Sequence, residues 1–138
     1  MTIRTIIGAA SAAIAIATAA PASAHDVSDK VTANFQQAIP NIPSKSLIAV
    51  VVDYPPGGAS VPHTHAKSSF IYAYVISGRI GSKVNDGATR VYKAGESWSE
   101  PPGASHPISR NVSKTQPAKL LAVFIVDTDD KDLTAPVK

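Results

Sequence analysis

Apolar residues along this chain fall in short blocks separated by Pro, Gly and small polar residues. Residues 47–54 form a Val-rich run of strand length. Residues 70–77 are aromatic and β-branched; alternation puts Ile71, Ala73 and Val75 on one face and Phe70, Tyr72, Tyr74 and Ile76 on the other. Residues 79–84 follow Gly78 and read as the hairpin partner of that strand. Asn85-Asp86-Gly87 is a turn signal. Further short strands are expected at 89–92, 97–100 and 106–111, with turns at Lys93-Ala94-Gly95-Glu96 and Pro101-Pro102-Gly103. The last strong strand is 120–127. Residues 26–39 fit an alternating strand (Val31, Ala33, Phe35) and also one helical face (Val31, Phe35, Ala38); an edge strand is the preferred reading. Residues 128–138 are polar and read as a loose tail. Seven or eight short strands with turns between them predict an all-β sandwich or small barrel.

The start of the chain follows a different pattern. Arg4 precedes an uncharged stretch, residues 6–20, made mostly of Ala and Ile, and Ala20-Pro21-Ala22-Ser23-Ala24 offers small residues at a cleavage point. That is the layout of a signal peptide over residues 1–24, too short and too weakly apolar for a spanning helix. No twin-arginine pair is present, so export unfolded is expected, to a periplasmic or secreted location, with no stable membrane span after cleavage. The domain boundaries follow: an N-terminal extension or edge strand at 25–45, a barrel at 46–128 and a C-terminal tail at 129–138. His25 would become the new N-terminus, where amine and ring can bind copper, or it marks only where the signal ends.

Composition removes several function classes. The formal charge is +3, and loss of Arg4 leaves 12 basic against 10 acidic side chains. The basic residues stand singly in the sequence, so no nucleic-acid partner is expected. There is no cysteine, hence no disulfide and no thiolate chemistry.

The chemistry concentrates in two segments. The first is Gly57-x5-His63-x-His65, followed by Tyr74-Val75-Ile76-Ser77-Gly78. The second is Gly95-x5-Pro101-x-Gly103-x2-His106-x4-Asn111. In a strand His63 and His65 point to one side, and His106 can bring a third imidazole from a distant part of the chain. Gly57, Gly78 and Gly95 permit turns of positive φ, and Pro62 and Pro101 stiffen the approach to the ligand strands.

This pair of motifs resembles the cupin superfamily, whose pattern is G-x5-H-x-H-x3-4-E-x6-G and G-x5-P-x-G-x2-H-x3-N. The resemblance covers residues 47–127 and implies a jelly-roll-type barrel of two facing antiparallel sheets. It implies His63, His65 and His106 as ligands of a divalent metal ion (Fe, Mn, Cu, Zn or Ni), and a small-molecule ligand or substrate. It also implies a homodimer, for which the outward stripe of Phe70, Tyr72, Tyr74 and Ile76 is suited.

The chain departs from the pattern where the family carries a glutamate ligand. Counting back from Gly78 gives Ile71, so a three-imidazole site without that carboxylate is expected; such a site keeps the full metal charge and would attract an anionic substrate. Asn111 lies one residue further from His106 than the pattern places it. Glu100 is the candidate catalytic group: a partner of His106, a general base, or a solvated carboxylate. Ile71, Ala73, Val75 and Trp98 are the candidate pocket residues; for Trp98 core packing is the other reading. By resemblance the function is a metal-dependent dioxygenase acting on a small oxygen-bearing substrate. The alternative is a non-catalytic cupin that binds a metal or small molecule.

Overall fold

The computed structural model describes residues 28–137. The signal segment, its cleavage point and His25 lie outside the described residues. Eleven strands follow in order: β1 (Lys30–Ala38), β2 (Lys45–Tyr54), β3 (His63–His65), β4 (Phe70–Ser77), β5 (Arg79–Lys83), β6 (Arg90–Lys93), β7 (Ser97–Glu100), β8 (Ser105–His106), β9 (Ile108–Asn111), β10 (Ala118–Asp127) and β11 (Thr134–Pro136). The expected all-β architecture is present. A five-stranded antiparallel sheet, ordered β1-β2-β10-β4-β7, is opposed by two three-stranded sheets, β11-β3-β8 and β6-β5-β9.

The centre of the large sheet forms where burial alternates most regularly. In β10, Ala118, Leu120, Ala122, Phe124 and Val126 are buried and the residues between them are half-buried. In β4, Ile71, Ala73 and Val75 turn inward and Phe70, Tyr72 and Ile76 outward, as period-2 alternation requires. Two core clusters result. One gathers Val52, Tyr54, Ala73, Val75, Ile80, Ala118 and Leu120, with Tyr92 and Trp98 packed against it. The other gathers Ile71, Ala122, Phe124 and Val126.

The described part of residues 26–39 favours the strand: β1 is the outer edge of the large sheet, paired with β2 and carrying a bulge between Ala33 and Phe35. Two other expectations change. β5 is not the hairpin partner of β4. It pairs with β6 and β9, while β4 lies between β10 and β7. The cause is the corner at Gly78, where φ is +74° and a Cβ would stand 2.7 Å from both Ala118 Cβ and Pro117 O. The chain passes so close to the start of β10 that it leaves the large sheet instead of folding back along β4. The polar end is not wholly a loose tail either, because β11 pairs with β3, setting Thr134 against His65 and Pro136 against His63. Arg79, Lys83, Lys93 and Arg110, dispersed in sequence, come to the outer face of the β6-β5-β9 sheet. No helix among the described residues is long and apolar enough to cross a membrane.

Candidate metal centre

Strand β3 carries His63 and His65 one residue apart, and β8 pairs with it so that His106 lies directly opposite His63. Alternation and register together therefore bring three imidazoles to one point. Their ring centroids stand 4.7 Å (His63–His65), 5.3 Å (His63–His106) and 5.9 Å (His65–His106) apart. One ligand atom from each lies within 4.8 Å of the other two. His65 and His106 are buried and His63 is half-buried.

Hydrogen bonds orient two of the rings. His63 Nδ1 lies 2.7 Å from the Val61 carbonyl. A carbonyl only accepts, so Nδ1 carries the proton and Nε2 keeps its lone pair in the neutral ring. His106 Nε2 bonds Ser82 Oγ at 2.9 Å, which leaves Nδ1 on the inner side. Burial lowers the pKa of His63, and it lowers that of His106 to about 4. Both rings are therefore neutral at neutral pH, the form that binds a metal.

Glu100 completes the cluster. It is 2% exposed, with Oε2 2.9 Å from His65 Nε2 and Oε1 3.4 Å from His106 Nδ1. The Trp98 indole N–H donates to Oε1 at 3.0 Å. Burial alone would raise this carboxyl, but the His65 and His106 imidazoles and the Trp98 donor outweigh it and hold the pKa below its usual value. The register of β4 on β7 explains its position, since Ile71 pairs directly with Glu100. Opposed residues of an antiparallel pair share a face with Cβ atoms about 5 Å apart. Ile71 does occupy the position where the family pattern has its glutamate. The three-imidazole set stands with Ile71 in that place, and Glu100, the candidate partner of His106, arrives from the neighbouring strand as a buried anion beside the imidazoles.

The donor set fits a cation. His65 Nδ1, His65 Nε2 and Glu100 Oε2 are buried without a hydrogen-bond partner. The 2.9 Å approach of His65 to Glu100 is close in distance but lacks the alignment of a hydrogen bond. Three orphaned polar atoms beside two oriented imidazoles are costly in an apolar interior unless something charged binds them.

The cluster opens on a cavity of about 560 Å³. Of the four candidate pocket residues, Ile71 and Ala73 line it. Val75 and Trp98 do not: Val75 is wholly buried in the core cluster, and Trp98 packs against that cluster and Tyr92. Asn111 is a loop clasp, donating to the carbonyls of Pro55 and Gln116 and accepting from Ser113 N–H. Sequence reasoning missed Tyr54, Ser60, Ser109 and Asp29, which also line the cavity. Tyr54 had a visible signal, because it shares the inward parity of Val50 and Val52 on β2.

Comparison with known proteins agrees with this geometry. A germin-like protein, subfamily 2 member 2, from Arabidopsis thaliana is 32% identical over 98 residues, which are 68% of this chain and 43% of that protein. The chain thus spans less than half the length of this relative. A structure of oxalate oxidase in complex with the substrate analogue glycolate matches with a TM-score of 0.56 at 26% identity, over 75% of this chain and 53% of that one. An uncharacterised Klebsiella pneumoniae protein with a double-stranded β-helix domain matches in fold with a TM-score of 0.63 at 19% identity, over 86% of this chain and 89% of that one. Residues 50–124 match the Cupin domain family. With that match spanning both histidine segments, the chain belongs to the cupin family.

Proposed function

We propose that the protein is an exported metal-binding cupin that acts as an oxygenase on a small oxygen-bearing substrate. The observation that carries this reading is the buried Glu100 beside three converging imidazoles at the wall of one cavity. A divalent metal held by His63, His65 and His106 would supply Lewis acidity and open coordination positions for small oxygen ligands. The chain's own residues do the rest. Trp98 fixes the Glu100 carboxylate through Oε1, which leaves Oε2 to take a proton from a hydroxyl or acid that binds beside it. Val50, Ile71, Ala122 and Phe124 line the same cavity and limit the water around that proton. The likeness to an oxalate oxidase bound to glycolate supports a small oxygen-rich ligand.

The experiment is metal analysis of untagged protein after reconstitution with Fe(II), Mn, Cu and Zn, followed by oxygen uptake with diketones, phenols and hydroxy acids. About one equivalent of metal is expected, lost in His63→Ala and His106→Ala while both stay folded. Glu100→Gln should retain metal at roughly 10–100-fold weaker affinity, since it removes the charge beside two ligands. Less than about a tenth of an equivalent in the wild type ends the metal reading. Normal metal without oxygen uptake ends the oxygenase reading and leaves the non-catalytic binding cupin.

Export rests on the composition of residues 1–24, and N-terminal sequencing of the protein recovered from its native compartment checks it. A homodimer is part of the same reading. Phe70, Tyr72 and Ile76 are 46%, 43% and 43% exposed on the outer face of the large sheet, and Leu121, Val123 and Ile125 of β10 lie beside them on that face. Sedimentation velocity should give twice the monomer mass, and a Tyr72→Lys variant should sediment as a monomer.

A further inference from the structure

The cavity has a second polar end, built from Asp29, Tyr54, Ser60 and Ser109. Tyr54 Oη lies 2.8 Å from Ser60 Oγ and 2.7 Å from Ser109 Oγ. Ser60 Oγ in turn donates to the Asp29 carboxylate. All four residues line the cavity that holds His63, His65, His106 and Glu100. Val50, Val52, Leu120 and Ala122 line it as well, from the large sheet. Burial raises the Tyr54 phenol, so it stays a neutral hydroxyl.

Counting hydrogens fixes the direction of this chain of hydroxyls. Each hydroxyl has one hydrogen, and a carboxylate has none. The Ser60 hydrogen goes to Asp29, so Ser60 can only accept from Tyr54. The Tyr54 hydrogen is then committed to Ser60, and Tyr54 can only accept from Ser109. The order is Ser109 to Tyr54 to Ser60 to Asp29, with every hydroxyl hydrogen used inside it. What this end offers a ligand is lone pairs and one negative charge. It accepts hydrogen bonds and has none to give.

The geometry points to a donor-selecting pole, and with it to a class of ligand. Resting on the metal reading for the opposite end, the ligand is a small molecule with an oxygen ligand at one end and an apolar middle. At the other end it carries a hydroxyl or protonated amine. An ammonium there gains a charge-assisted hydrogen bond from the Asp29 end. A carboxylate there meets lone pairs and a like charge with no donor, and its desolvation goes uncompensated. Short dicarboxylates, acidic at both ends, are therefore discriminated against. The register sets the scale: Ser109 pairs with Ser82, whose Oγ holds His106 Nε2 at 2.9 Å, and Ser60 lies three residues before His63, so at most about 10 Å of extended chain separates the two ends.

The test is calorimetric titration of the full chain with two homologous series, unbranched ω-amino acids and α,ω-dicarboxylic acids of about three to eight carbons. Both carry the same anchoring carboxylate, and metal content is measured on each sample. At the best length the amino acid should bind at least tenfold tighter than the diacid. Asp29→Asn should reduce that preference to within about threefold. Tyr54→Phe releases the Ser109 hydrogen toward the cavity and should reduce or reverse it, with circular dichroism confirming that both variants fold. Equal or tighter binding of the diacids overturns the proposal. So does a preference that survives both variants unchanged, or no binding by either series. A sample that loads no metal ends the metal reading on its own, and the ratio of the two series still decides the pole.

Discussion

Acidification of the metal-free protein should destabilise it more steeply than its overall composition suggests, and His106 is the reason. Burial lowers its pKa from the ordinary 6.5 to about 4. The ring is 4% exposed, so solvent screening removes little of the effect. At pH 7.5 it is neutral both folded and unfolded, and it contributes no slope. As pH falls below 6.5 the unfolded chain takes a proton that the folded chain refuses, so stability is lost on the acid side until the folded ring also titrates near pH 4. From those two pKa values the loss is about 2 kcal/mol at pH 5 and about 3 kcal/mol at pH 4. Glu100 adds to it with the same sign. Its folded pKa is lowered, so its stabilisation is present above the unfolded carboxyl value and disappears as pH falls through the folded one. His63, lowered by burial as well, steepens the upper part of the same window. The assay is urea unfolding of chelator-treated protein at half-unit steps from pH 7.5 to 4, for wild type and His106→Gln. The variant should lose roughly 2 kcal/mol of the pH 7.5-to-5 difference seen in wild type. If the two profiles are parallel through that window, His106 is not held neutral by burial and the orientation argued for its ring fails.

Two further changes test the frame around the site. Gly78→Ala should cost at least about 2 kcal/mol by urea unfolding, because the residue sits at φ +74° and the new Cβ would be 2.7 Å from Pro117 O and Ala118 Cβ; a cost below about 1 kcal/mol would mean the corner can move. Phe124→Ala removes a buried ring from the cavity wall against His65 and should cost about 3 kcal/mol, at the low end for Phe because the space already borders a cavity. The same variant should loosen His65, so its metal affinity should drop while that of a variant in the other core cluster, such as Val75→Ala, does not.

How far the sequence speaks depends on how local each decision is. Strand β4 was legible by its two-residue alternation, and β2 and β10 as unbroken apolar runs of strand length. The three histidines were legible because β3 supplies two by alternation and the second motif supplies the third. The partners of β5 were not legible. A Gly between two short strands reads equally well as a hairpin turn or as a corner, and the choice is made by Pro117 and Ala118, nearly forty residues on. β11 was hidden for a related reason. Three exposed residues, Thr134, Ala135 and Pro136, carry no burial pattern, and their pairing is chosen by the free edge of β3.

Glu100 shows what that limit means for chemistry. Read along the chain, the family's carboxylate position holds Ile71, and Glu100 is marked only by its place before Pro101-Pro102-Gly103. Read across the ladder, Ile71 and Glu100 are opposed residues of β4 and β7, so one face of one rung carries both. Moving a carboxylate to the next strand at the same level keeps it within reach of the same imidazoles while changing every sequence spacing by which it would be recognised. It also changes its surroundings, because on β7 the carboxylate is two residues from Trp98 and takes its indole N–H. One oxygen is thereby fixed and the other left unpartnered beside His65. A carboxylate held in that way is suited to ligation or to receiving a proton, and it offsets the charge that three neutral imidazoles would leave on a bound cation. Selectivity for an anionic substrate therefore weakens relative to a site of imidazoles alone, which agrees with a cavity whose far end, at Asp29, is also negative.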